Sequence, residues 1–98
     1  MSLTLRLTPE ARHDVAEAIA WFLERSPELP QRFRVALEKA YLGISERPEM
    51  HPLVYKRFRR ALLQHFPYSI FYIVLETSIV VVGVVHQAQH PSTWKRRA

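Results

Sequence analysis

The residues in this chain that could do chemistry are its five histidines and its fourteen lysines and arginines. His65, His86 and His90, with arginines nearby, supply the types that phosphodiester cleavage needs: a base for a 2′-hydroxyl, an acid for the leaving oxygen and a cation for the phosphate. The simpler reading of the same histidines is that they are solvated groups at strand ends. His86 and His90 also have a four-residue ligand spacing, but on an extended chain that spacing spans about 13 Å, too far for one ion. No metal is expected. Other enzyme signatures are missing: Gly43 and Gly83 are the only glycines, so no glycine-rich phosphate loop exists, and there is no cysteine or GxSxG serine. No cofactor is expected either.

Two basic clusters stand out, Lys56, Arg57, Arg59 and Arg60, and then Lys95, Arg96 and Arg97, whereas seven of the nine acids lie between Glu10 and Glu46. The formal net charge of +5 draws the molecule to phosphate backbones or to an acidic protein, with a salt-dependent affinity. Neighbouring strand residues point to opposite faces, so at most one of Arg59 and Arg60 belongs to a shared site. Trp94, beside the second cluster, either stacks on a base or enters a protein groove, or else anchors the tail onto the core; both readings stand.

The elements that must position these groups follow from periodicity. Phe58 to His86 reads as a three-stranded antiparallel meander, Phe58–His65, Tyr68–Leu75 and Ile79–His86, broken at Phe66-Pro67 and at Glu76-Thr77-Ser78. Tyr68 and Tyr72 share a strand face and read as core. Gly83 within the valine-rich strand predicts a bulge or a close backbone approach. Ahead of the meander, Ser2–Leu7 alternates three leucines on one face of a strand. Thr8-Pro9-Glu10 then starts a helix whose apolar stripe is Ala11, Val15, Ile19, Phe22 and Leu23. Ser26 to Pro30 turns the chain, and a second helix over Pro30–Glu46 carries Phe33, Leu37, Ala40, Tyr41 and Ile44. Arg47 to Pro52 is an irregular loop, and Pro91 can open a short last helix. The expected fold is α+β, ordered βααβββ, with a helix hairpin packed on an antiparallel sheet and residues 1–98 as one domain.

Composition bounds the class. At 98 residues and 48% apolar the chain has ordinary globular content. Ile70 to Val85 comes nearest to a membrane span but is split by Glu76, Thr77 and Ser78, so no membrane role is expected. Without a signal-like apolar run in MSLTLRLTPE, a cytoplasmic location is expected.

At Arg59, the segment FPYSIFY from Phe66 to Tyr72, His86, Pro91, Trp94 and Arg97, the sequence resembles the RelE/ParE toxins of type II toxin-antitoxin systems, and more closely the ParE branch. The likeness extends to the opening LTLRLTPEARHDVAEAIAWF and to RPEMHP at the end of the second helix. It implies the βααβββ fold and a plasmid-stabilisation toxin neutralised by a cognate antitoxin in a hetero-oligomer. RelE-like members cut mRNA on the ribosome with two arginines and a C-terminal tyrosine. The matching positions here are Ser69, Ala88 and Trp94, so the resemblance implies the ParE activity instead, inhibition of DNA gyrase by binding, with growth arrest and no catalytic residue. It places the target-binding surface at Arg59, Arg60, His86, His90, Trp94, Lys95, Arg96 and Arg97. ParE-like sequences usually carry an arginine where this chain has Gln87, Ala88, Gln89 and His90. The alternatives are a ribosome-dependent endoribonuclease using His86, His90 and Arg59, and an inactive relative that only binds antitoxin. The antitoxin is expected to lay an amphipathic helix or strand beside the helix hairpin, with acidic groups near Arg59 or Arg60.

Overall fold

A computed structural model describes residues 3–98. Strand β1 (Thr4–Leu7) leads into helix α1 (Pro9–Arg25) and helix α2 (Leu29–Glu46); strands β2 (Leu53–Tyr55), β3 (Phe58–Leu62), β4 (Tyr68–Val74) and β5 (Ser78–His86) follow, and helix α3 (Ser92–Lys95) ends the chain. Ser2, expected to open the first strand, lies outside the described residues. Helix α1 starts as its sequence predicts: the Thr8 hydroxyl accepts the Ala11 N–H at 3.1 Å, and Pro9 occupies the first turn, where its missing N–H costs nothing.

The five strands form one sheet in the order β1-β5-β4-β3-β2. The meander β3-β4-β5 is antiparallel, as expected. Two features differ from the expected order. Strand β1 lies parallel to β5, with Thr4 opposite Ser78 and Leu7 opposite Val81, so the sheet is mixed. A parallel neighbour needs a long crossover, and here the helix hairpin and three strands supply it. Alternating leucines show which face β1 buries but not which strand it joins. The second difference is β2, three residues that pair with β3 across a register shift, inside a stretch that reads from sequence as loop running into β3. Strand β3 also stops at Leu62 rather than His65, because His65 has φ 67°, a left-handed conformation that a strand cannot contain.

One face of the sheet is covered by α1 and α2. Ala11, Ala18, Phe22, Phe33, Leu37 and Ile44 from the helices meet Ala61, Tyr68, Ile70, Tyr72, Ile79, Val81 and Val84 from the strands. Phe66 of the β3–β4 turn inserts between the helices, 5.2 Å from Phe22 and 5.3 Å from Phe33, both edge-on. Such aromatic contacts add about 1 kcal/mol each beyond burial. Leu23, assigned by spacing to the buried stripe, is 58% exposed. Ala18 takes its place, since the stripe follows Ala11, Ala18 and Phe22.

Strand β5 is buried on both faces, which explains its nearly unbroken run of branched residues. Ile79, Val81 and Val84 face the helices, while Val80, Val82 and Val85 join a second apolar cluster on the opposite face. This alternation skips at Gly83. Phe71 pairs with Gly83 but Tyr72 pairs with Val81, so β5 carries one extra residue at Val82. The bulge changes which face each later residue takes.

Candidate macromolecule-binding site on the open face

The face away from α1 and α2, called the open face, has little cover of its own. Its apolar cluster comprises Phe58, Phe71, Val80, Val82 and Val85, and the lid is a single side chain, Trp94 of α3. The Trp94 indole stacks on Phe71 with centroids 4.0 Å apart and planes 18° apart, and is only 8% exposed. Phe58 and Tyr55 close its sides at 6.4 and 6.3 Å. Trp94 is therefore an anchor, and its ring has no free face to offer a ligand.

That anchor brings the two basic clusters together. Lys95, beside Trp94, places its ammonium 5.1 Å from the Tyr55 ring centroid, and Lys56 at the β2–β3 tip lies 5.3 Å from the same centroid. Lys56 has φ 50°, an uncommon conformation for a residue with a side chain. Arg60, opposite Phe71 in the sheet, lies on the same face. Arg57 and Arg96 are exposed and adjacent in the chain to Lys56 and Lys95. Among the described residues none of these five cations forms an ion pair with a carboxylate.

Beside this ridge is a cleft of about 100 Å³ lined by Arg60, Ser69, Phe71, Val85, His86, Gln87, Gln89, Pro91 and Trp94. Ser69 is its one buried polar residue, at 3% exposure. The histidines at its margin are occupied with shaping the tail. The Ala88 N–H donates to His86 Nδ1 at 3.0 Å and the Ser92 N–H donates to His90 Nδ1 at 3.1 Å. Each ring thus spends the Nδ1 lone pair on a turn amide, and in the neutral ring the proton sits on Nε2. The chain also turns between them, since the Gln89 N–H donates to the His86 carbonyl, so the extended separation expected from sequence does not hold. Among the described residues no group of three or more His, Cys, Asp or Glu converges on a common point. His65 lies elsewhere, in the β3–β4 turn beside α2.

Arg59 and Arg97 are placed differently from the expected surface. Arg59 lies opposite Tyr72 on the helix-covered face, and its Nη1 donates to the carbonyls of His51 at 2.7 Å and Glu49 at 3.2 Å. The Tyr72 hydroxyl donates to the Pro48 carbonyl at 2.6 Å. Together they pin the 47–52 loop against the sheet. Burial pushes the Tyr72 phenol pKa up, and Arg59 pulls it partly back.

Arg97 makes a bidentate pair with Asp14 of α1, Nη1 to Oδ2 at 2.6 Å and Nη2 to Oδ1 at 3.1 Å. The same Nη1 donates to the Val82 carbonyl at 3.0 Å, and Asp14 Oδ2 accepts the Val84 N–H at 3.0 Å. Beyond Val81 the edge of β5 has lost its partner β1, so the two side chains bond backbone groups that a strand would otherwise take. The bonded carboxylate raises the already high Arg97 pKa. A Cβ on Gly83 would lie 3.0 Å from Arg97 Nη1, so both the bulge and the close approach predicted for Gly83 are present. Asp14 was missed by spacing arguments, although its position gives a signal. It sits between Ala11 and Ala18 on the buried side of α1, and an acid on such a stripe needs a partner.

The mixed sheet, the helix hairpin on one face and the cations exposed on the other define a small α+β domain. Residues 5–91 match the family model for the ParE toxin of type II toxin-antitoxin system, parDE, and the chain belongs to that family. Among solved structures it is similar to a chain of the chromosomal ParDE TA system from P. aeruginosa, at TM-score 0.77 and 15% identity, over 87% of this chain and 96% of that one. At that identity the likeness speaks for the fold. No curated protein matches the chain in sequence.

Proposed function

We propose that the chain acts as the toxin of a toxin-antitoxin pair, inhibiting DNA gyrase by binding through the open face and without catalysing a reaction. One observation carries the reading. At two of the positions that the resemblance matches to groups of the RNA-cutting relatives, this chain has buried Ser69 and a Trp94 stacked on Phe71, and Arg60 is the one arginine lining the cleft beside them. A cleft so equipped lacks the charge to stabilise a pentavalent phosphate, a deficit of several kcal/mol. Lys56, Arg60, Lys95 and Arg96 remain as an unneutralised binding surface. Purified chain should block supercoiling by gyrase, or trap cleaved DNA, while leaving translation intact. Messenger RNA cut at ribosomal A sites with gyrase untouched would overturn the proposal.

The ribonuclease alternative keeps one observation in its favour, the presence of His86 and Arg60 in the same cleft. Loss of growth arrest in His86→Ala with both the fold and gyrase binding intact favours cleavage. Growth unaffected by expression without a partner would mean that the chain only binds antitoxin.

The antitoxin is proposed to be acidic and to dock on the helix hairpin in the cytoplasm. Among the described residues no helix is long and apolar enough to cross a membrane. A groove of about 530 Å³ between α2 and the β3–β4 turn offers Leu29, Val35, Ala36 and Phe66 to an apolar stripe and Arg32 and Lys39 to carboxylates. That placement moves the expected acidic contacts away from Arg59, which the 47–52 loop occupies. Antitoxin affinity insensitive to salt would count against the electrostatic part.

A further inference from the structure

We propose that the open face binds the phosphate backbone of duplex DNA directly and without regard to sequence, through Lys56, Arg60 and Lys95, flanked by Arg57 and Arg96. This rests on the reading of the open face as the target-contacting surface and names the chemistry it contacts there.

Three observations favour duplex DNA over other anionic partners. The first is the state of the surface: Phe58, Phe71 and Trp94 are buried against one another, and Leu62, on the same strand face as Arg60, is left exposed beside the cations. The charge remains exposed while the aromatics are spent. An acidic peptide is better matched by the hairpin groove, where Arg32 and Lys39 stand beside open apolar side chains.

The second is the state of the aromatic rings. Binding to single strands relies on aromatic faces on which bases stack. Trp94 is stacked on Phe71, and Tyr55 has the Lys56 and Lys95 ammonium groups within 5.3 and 5.1 Å of its centroid. Those two charges are therefore no farther apart than the sum of these distances. Duplex DNA presents one negative charge per about 1.7 Å of helix axis, dense enough for two such neighbours to be neutralised at once.

The third is the size of the cleft. Pockets that enclose small ligands run from about 300 Å³ upward. The cleft beside Arg60 holds about 100 Å³, too little for an extruded nucleotide. Its Ser69, Gln87 and Gln89 are neutral groups of the kind that hydrogen-bond phosphate and sugar oxygens at a surface. Lys56 adds to the case, because its left-handed backbone at φ 50° is the conformation that glycine or asparagine normally fills. A lysine there presents charge at a backbone position that favours another residue.

The test uses the purified chain, without gyrase or antitoxin, and a labelled mixed-sequence DNA duplex followed by fluorescence anisotropy. Three to five phosphate contacts predict an affinity that falls about 40-fold to about 500-fold between about 50 and about 200 mM salt. Lys56→Gln with Lys95→Gln should lower the slope of log affinity against log salt by about 2. Arg34→Gln, the loss of one positive charge on an exposed part of α2, should leave affinity unchanged. Lys56→Gly should raise the melting temperature while weakening DNA binding, which separates the charge from the fold.

Absence of duplex binding at low salt, a slope unmoved by the double substitution, or tighter binding of single strands would each overturn the proposal. So would loss of an acidic peptide, rather than DNA, in the Lys95→Gln chain. Duplex binding with supercoiling unaffected upholds the DNA contact and sinks the gyrase reading. Inhibited supercoiling with no DNA binding does the reverse.

Discussion

The two faces of the sheet are built from the same strands yet are held by opposite means. The helix-covered face is closed by two long helices and a cluster of four aromatics, Phe22, Phe33, Phe66 and Tyr68, with centroids 5.1–5.9 Å apart. The open face is closed by one indole on a four-residue helix and ringed with cations. The first spreads its stabilisation over many contacts; the second concentrates it at Trp94, Asp14 and Arg97. The bulk of the packing and the exposed cations of the sheet thereby lie on opposite sides of a single layer of backbone.

Substitutions can test that separation. Phe33→Ala on the helix-covered face should cost about 4 kcal/mol and lower the whole denaturation curve, because it opens a cavity within the aromatic cluster. Trp94→Ala should cost about 3 kcal/mol. Amide exchange in that variant should rise in residues 87–98 and along the open face, with α1 and α2 still protected. Equal deprotection of both faces would erase the distinction.

Asp14→Ala should cost about 2.5 kcal/mol by denaturant midpoint, and Arg97→Ala about as much. The first strands the Val84 N–H and leaves the Arg97 guanidinium only the Val82 carbonyl; the second strands that carbonyl and leaves Asp14 only the Val84 N–H. A double-mutant cycle showing no coupling would mean that the pair is ornamental. Arg59→Met should cost about 1.5 kcal/mol and make the 47–52 loop a protease target, since two carbonyls lose their donor.

The smallest effect has the opposite sign. The Tyr41 hydroxyl is buried with no partner among the described residues, and burial pushes its pKa from 10.0 up to about 12. The folded chain favours the neutral phenol, so this contribution to stability is whole below about pH 10 and is lost as pH rises toward 12. Tyr41→Phe should gain about 1 kcal/mol at neutral pH and flatten that alkaline decline. A loss of stability instead would reveal a partner for the hydroxyl.

Much of the helix-covered face was legible in the chain itself. Periodicity placed both helices, the meander and most of its core, because burial on one side writes a repeat into local sequence. Leu23 shows the limit: spacing alone put it inside, and the packing angle of α1 put it out. The contacts that shape the site were illegible for a different reason. Asp14 and Arg97 stand 83 residues apart, and the parallel pairing of β1 with β5 is of similar range. Nothing local marks such partners. Arg59 and Arg60 were separable by strand parity, but that Arg59 would be turned to a loop depended on where Glu49 and His51 lay. The resemblance to a toxin family put Arg97 among the target-binding cations, whereas Arg97 is bound internally.

The position of β5 also has a consequence for how the molecule comes into being on the ribosome. The strand on which both faces depend follows both long helices and four other strands in the chain, and the arginine that secures it comes later still. A growing chain therefore emerges with its helices first and without the strand they pack on. Pairing across nearly the whole length is slow to form, and domains acquire their fold as the C-terminal part becomes free. A nascent chain can join the basic clusters only after β5 and the Trp94 anchor have emerged.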